Sequence, residues 1–119
     1  MSEVTIFDSL IGTVLTRAYV SDTDENEALL LEREIGGTVR FMHHQSCCES
    51  VYIEDIEGDL EDLVGSPILQ AEEVTEDNEE AECGMWTFYK FATAKGRVTI
   101  RFYGSSNGYY SVGVSVGII

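Results

Sequence analysis

The sequence predicts an α+β fold: a twisted antiparallel sheet with a C-terminal three-stranded meander, one short helix and loops covering one face. Three observations carry this expectation. Arg97-Val98-Thr99-Ile100-Arg101-Phe102-Tyr103 alternates with period two, which separates Val98, Ile100 and Phe102 from Arg97, Thr99, Arg101 and Tyr103. Short turn signals, Lys95-Gly96 and Ser105-Ser106-Asn107-Gly108, bracket that segment and join it to apolar runs on either side. Finally, Leu60, Leu63 and Val64 fall at i, i+3 and i+4, the spacing of one helix face.

Taken in chain order, Val14 to Val20 reads as a strand and Ala28 to Ile35 as a second, with the polar hexapeptide Ser21-Asp22-Thr23-Asp24-Glu25-Asn26 turning between them. Gly36-Gly37 marks a hairpin into Thr38-Val39-Arg40-Phe41-Met42, because both glycines tolerate positive φ. Val51-Tyr52-Ile53 is β-prone. The helix follows, about two turns long, with Asp59 as its cap, Gly65 at its end and Pro67 just beyond. Trp86 to Ala94 is the first strand of the meander and Arg97 to Tyr103 the second. The third places Tyr110, Val112, Val114 and Val116 on one side and Tyr109, Ser111, Gly113 and Ser115 on the other. No repeat is visible, and residues 1–119 read as a single domain.

Charge narrows the function classes. Twenty-two acidic side chains against seven basic ones give the 119-residue chain a formal charge of −15. Gripping nucleic acid or anionic lipid needs lysine and arginine, so direct binding of either is not expected. The 44% hydrophobic fraction is too rich for a disordered chain. No apolar run has the length of a membrane span, and three cysteines, two adjacent, suit a reducing cytoplasm better than a disulfide framework. The acid is concentrated. Between Phe41 and Tyr89 there is no basic residue, yet Glu49 to Glu82 holds 14 carboxylates. One cluster, Glu54, Asp55, Glu57, Asp59, Glu61 and Asp62, surrounds the expected helix. The other, Glu72, Glu73, Glu76, Asp77, Glu79, Glu80 and Glu82, lies in a stretch expected to be a loop at about residues 72–83.

Several long motifs point to a family. Gln45-Ser46-Cys47-Cys48-Glu49-Ser50-Val51-Tyr52-Ile53-Glu54-Asp55-Ile56-Glu57-Gly58-Asp59-Leu60 is the longest, and Gly65-Ser66-Pro67-Ile68-Leu69 and Trp86-Thr87-Phe88-Tyr89-Lys90 follow it. Val98-Thr99-Ile100-Arg101-Phe102-Tyr103-Gly104 and Ser106-Asn107-Gly108-Tyr109-Tyr110-Ser111 complete the set. From about Leu10 onward the chain resembles an uncharacterised family of small phage and prophage proteins. That resemblance implies a bacterial host cytoplasm and carries no activity with it. The acid stretch from Glu76 to Glu82 looks particular to this chain.

Four constellations are candidates for chemistry. His43-His44-Gln45-Ser46-Cys47-Cys48 gathers zinc-type ligands that Cys83 or Glu49 could complete, but adjacent cysteines on a strand point to opposite faces, so no metal is expected. A cysteine nucleophile beside these histidines would face carboxylates that destabilise a thiolate, and no oxyanion turn accompanies it, so no catalytic residues are assigned. Asp55, Glu57, Asp59 and Glu61 alternate like a calcium loop but miss its glycine and terminal glutamate, and read as a solvated acidic face. Arg97, Arg101, Tyr103, Asn107, Tyr109 and Tyr110 offer guanidinium forks and stacking rings that could hold a phosphorylated or nucleotide ligand.

The leading expectation is a non-catalytic, cofactor-free accessory or inhibitor protein of phage type. Its carboxylates would occupy a basic groove on a host nucleic-acid-dependent defence machine, as phosphates do. The alternative is a small-molecule binder that sequesters a nucleotide-type signal with the arginine and tyrosine set. An apolar C-terminal strand with Val112, Val114, Val116, Ile118 and Ile119 makes a homodimer a further expectation.

Overall fold

The computed structural model describes residues 8–23, 26–43, 49–78, 84–106 and 114–119. Eight strands build it: β1 (Leu15–Thr23), β2 (Asn26–Arg33), β3 (Thr38–Met42), β4 (Ser50–Glu57), β5 (Gln70–Asn78), β6 (Gly84–Thr93), β7 (Gly96–Ser105) and β8 (Ser115–Ile118). They form two four-stranded antiparallel sheets, ordered β1-β2-β3-β8 and β4-β7-β6-β5. The only helical pieces among the described residues are short 3-10 turns at Asp8–Leu10 and Leu60–Leu63. The chain is therefore nearly all β, and the expected α+β class is corrected.

The helix expected around Leu60 shrinks to a four-residue turn for a local reason. Asp59 does cap it, its Oδ1 accepting the Glu61 N–H at 3.0 Å. Val64, however, turns extended and bridges to Leu15, and the Gly65 N–H donates to the Leu15 carbonyl. A single turn cannot repay helix nucleation, so sheet-like pairing with the start of β1 takes the segment over. The Lys95 ammonium donates to the carbonyls of Glu61, which also accepts the Val64 N–H, and of Val64, and so pins the end of this short turn.

The expected C-terminal meander is also redrawn. The β6–β7 hairpin forms as the alternation requires, but the strand before it completes the meander: β5, β6 and β7 pair consecutively. The C-terminal strand crosses to the other sheet, where Val116 stands opposite Phe41 and Ile118 opposite Val39. The free side of β7 goes to β4, which sets Val51, Ile53 and Ile56 opposite Gly104, Phe102 and Ile100. The acidic stretch read as a loop at 72–83 is strand through Asn78, paired residue for residue with β6, and the remainder of it lies outside the described residues. An edge strand whose outward side chains face water accepts carboxylates without desolvating them, and charge there also discourages pairing with other chains.

One core lies between the sheets. Leu29, Leu31, Val39 and Phe41 meet Val51, Tyr89, Phe91, Val98, Ile100 and Phe102, and Leu10, Leu15, Leu63 and Ile68 close one end. Phe41 contacts Tyr89 and Phe91 edge-on, with ring centroids 4.8 and 6.0 Å apart, and so bridges the two sheets. In β7 the buried and outward positions follow the alternation read from the sequence. Between β2 and β3, Gly36 and Gly37 both take positive φ, +106° and +79°, as the hairpin requires. Among the described residues no helix is long and apolar enough to cross a membrane.

Candidate functional site

The outer face of the β4-β7-β6-β5 sheet holds the most organised cluster of charged and aromatic side chains described. Cross-strand register arranges it in rows. Tyr52, Tyr103, Trp86 and Glu76 form one row across β4, β7, β6 and β5. Asp55, Arg101, Phe88 and Val74 form the next, followed by Glu57, Thr99, Lys90 and Glu72. Beyond them Arg97, Ala92 and Gln70 complete the face. The last three rows, with Glu76 of the first, line a groove of about 540 Å³ with an apolar floor at Phe88, Val74 and Ala92.

A β-bulge shapes one side of this face. The β4–β7 register shifts between Ile53 and Asp55, so Glu54 is an extra residue and both Glu54 and Asp55 stand near Arg101. Arg101 Nε lies 2.7 Å from Glu54 Oε1, an ion pair set off the N–H direction, and its Nη2 lies 3.9 Å from Asp55 Oδ2. Trp86 Nε1 donates to the same Glu54 oxygen at 3.2 Å. Glu54 therefore orients both the guanidinium and the indole. The rings of Tyr52 and Tyr103 are 6.1 Å apart and those of Trp86 and Tyr103 5.3 Å apart, which makes a continuous aromatic row.

The expected ligand set is brought together only in part. Arg97, Arg101 and Tyr103 do share one face, but Arg101 is already engaged by two carboxylates, and Asn107, Tyr109 and Tyr110 lie outside the described residues. Arg97 and Lys90 have no ion-pair partner among the described residues. The groove as a whole presents four carboxylates, Asp55, Glu57, Glu72 and Glu76, against three cations.

The acidic residues divide by role. Asp59 is spent as a cap, and the Asp62 carboxylate packs so close to Gly96 that a Cβ there would lie 2.8 Å from Oδ2. Glu73 turns toward the buried Tyr89 hydroxyl, whose pKa is raised by burial first and then by the hydrogen bond and charge of that carboxylate. Glu57, Glu61, Glu72, Glu76 and Asp77 remain exposed to solvent. Glu79, Glu80 and Glu82 are outside the described residues.

Of the His–Cys segment, only its flank is described. His43 is buried, and its Nε2 lies 2.8 Å from the Oε2 of the equally buried Glu49, which ties the end of β3 to the start of β4. His44, Cys47, Cys48 and Cys83 lie outside the described residues, among which no group of three metal-ligating side chains occurs.

Sequence reasoning missed Tyr52, Trp86, Phe88 and Lys90 as members of this face. The signal was available in the phase of β6, where 86, 88, 90 and 92 point outward like 97, 99, 101 and 103 in β7. The bulge that doubles the acid beside Arg101 has no such signal. No curated protein and no solved structure matches the chain. The model of a family described as a domain of unknown function, DUF7448, matches residues 3–116, and the chain belongs to that family.

Proposed function

We propose that the protein is a non-catalytic binding protein that occupies a basic, nucleic-acid-binding groove on another protein with the outer face of its β4-β7-β6-β5 sheet. The observation that carries this reading is the placement of acid on the two edge strands. Outward carboxylates on β4 (Glu54, Asp55, Glu57) and β5 (Glu72, Glu76) are separated by two strands, about 14 Å at ordinary sheet spacing. Two anionic rows flanking a groove resemble the phosphate walls of a duplex groove about 12 Å wide. The net charge of −15 adds long-range attraction for a cationic surface. A phage-encoded inhibitor of a host defence complex fits this chemistry, and that setting rests on the sequence resemblance.

The test compares capture of proteins from a bacterial lysate by the wild-type chain and by two variants, Glu57→Gln with Glu61→Gln and Glu72→Gln with Glu76→Gln. Duplex DNA should compete captured proteins off, and capture should weaken as salt rises to about 0.15 M, where the Debye length is about 8 Å. Each variant should capture less. Capture that ignores salt, DNA and both substitutions sinks the reading.

A second reading keeps Lys90, Thr99 and Arg97 as a site for a phosphorylated or nucleotide ligand. It is favoured by the absence of ion-pair partners for Lys90 and Arg97 among the described residues. A nucleotide panel read by thermal shift tests it: stabilisation lost in Arg97→Ala supports the site, and no shift with any nucleotide removes it.

A further inference from the structure

We propose that the aromatic row Tyr52–Tyr103–Trp86, with Glu76 at its β5 end, receives an arginine side chain of the basic partner, stacked on Trp86 and paired with the Glu76 carboxylate. This rests on the docking reading above and names its contact centre. The row runs across adjacent strands in one register, and Tyr52 is 39% exposed at its outer end. Trp86 is already oriented by its hydrogen bond to Glu54, so little side-chain freedom is lost when a partner docks.

Charge decides what kind of group fits. An anion would approach a face on which carboxylates outnumber cations, on a chain that is itself strongly negative. A neutral apolar group would leave the flanking carboxylates without a role. A guanidinium uses both features, because it is weakly hydrated, stacks on aromatic rings and forms a fork to a carboxylate. Trp and Tyr surrounded by polar side chains are also the residues that most often dominate binding energy at interfaces.

The molecule supplies its own precedent on the other sheet. There the Arg17 guanidinium carbon sits 4.3 Å from the centre of the Tyr19 ring while NH1 lies 3.1 Å from Glu32 Oε2. On the outer face of the second sheet, Trp86 and Glu76 stand directly opposite each other on β6 and β5. They provide a ring and a carboxylate, the two kinds of partner that Arg17 has there in a different register, with the arginine to come from outside.

Nona-arginine and nona-lysine peptides of equal charge test this on the full chain, read by emission of Trp86, the single tryptophan. At physiological salt the arginine peptide should bind about three- to thirtyfold tighter and alter Trp86 emission. Tyr103→Leu and Glu76→Gln, and Trp86→Leu followed by calorimetry, should bring its affinity down to that of the lysine peptide, with melting curves showing that each variant is folded. Equal affinity of the two peptides in the wild type overturns the proposal. So does an unchanged preference in all three variants, or an emission change produced by neutral oligosaccharides or mononucleotides and not by the arginine peptide. Failures are separable. If Glu57→Gln with Glu72→Gln weakens both peptides while the aromatic variants keep the preference, stacking is wrong and the acidic docking reading stands. If the arginine preference maps to the row but charge-neutralised chains capture proteins normally, the docking reading falls and the stacking site remains.

Discussion

Gly58→Ala should be among the most costly single-atom-scale changes in the chain, and Gly65→Ala provides its control. Both glycines have positive φ, +98° and +84°, so alanine at either incurs the left-handed backbone cost of about 1–2 kcal/mol. Their surroundings differ. A Cβ on Gly58 would collide with the Arg97 carbonyl oxygen and reach 3.2 Å from the Val98 Cα, both backbone atoms of β7 that cannot swing aside. A Cβ on Gly65 meets nothing within 4 Å. Forced overpacking adds about 1–3 kcal/mol, so Gly58→Ala should cost about 2–5 kcal/mol and Gly65→Ala only the backbone share. At about 4 °C per kcal/mol for a domain of this size, Tm should fall by about 8–20 °C in the first case and about 4–8 °C in the second. Urea unfolding followed by Trp86 emission measures both, with m expected to stay constant. Equal losses in the two variants would refute the reasoning, since the close approach of the end of β4 to β7 would then carry no energy. The contact also bears on the candidate binding face, because it sets Glu57 beside the start of β7 at one end of the groove.

Three other outcomes are expected. Tyr89 keeps its proton in the folded state after an unfolded tyrosine would lose it, so stability should fall as pH rises above about 10, by up to about 1.4 kcal/mol per pH unit, and Tyr89→Phe should flatten that slope; parallel urea titrations of the two chains check it. Phe41→Ala removes the ring that touches Tyr89 and Phe91 across the core and should cost about 3–5 kcal/mol, seen as loss of both sheets in a single calorimetric transition. Arg101→Ala breaks a pair about one third exposed and should cost no more than about 1 kcal/mol, while altering Trp86 emission through Glu54; a larger loss would make Arg101 a structural anchor.

Local alternation made β7 legible, because a period of two needs no knowledge of partners, and β propensity with the Lys95-Gly96 turn marked β6 before it. The hairpin at Gly36-Gly37 was readable from the positive φ that both glycines tolerate, but β2 ends at Arg33, so Glu34 and Ile35 join the turn instead of ending the strand. What failed was pairing over distance. Between Glu72 and Asp77 only Val74 and Thr75 favour a strand among four carboxylates, yet β6 offers the segment a ladder and water solvates its carboxylates. Val64 fits a helix face by spacing, and Leu15 claims it for a bridge instead. The candidate site shows the same division. Arg97, Arg101 and Tyr103 were visible as one strand face, whereas Glu54 reached Arg101 through a bulge and Trp86 joined Tyr103 from another strand.

The crossing of β8 to β3 has a consequence for how the chain folds as it is made. Val39 and Phe41 leave the ribosome early, but the strand opposite them contains Val116 and Ile118. Until those residues emerge, β3 presents an unpaired, apolar edge, and the sheet of β1, β2 and β3 lacks its fourth strand. Loop closure over most of the chain must precede that last ladder, which places folding in the slow, millisecond-to-second regime of β proteins. Synthesis therefore passes through an interval in which that edge is exposed, and the net charge of −15 opposes association of nascent chains over it.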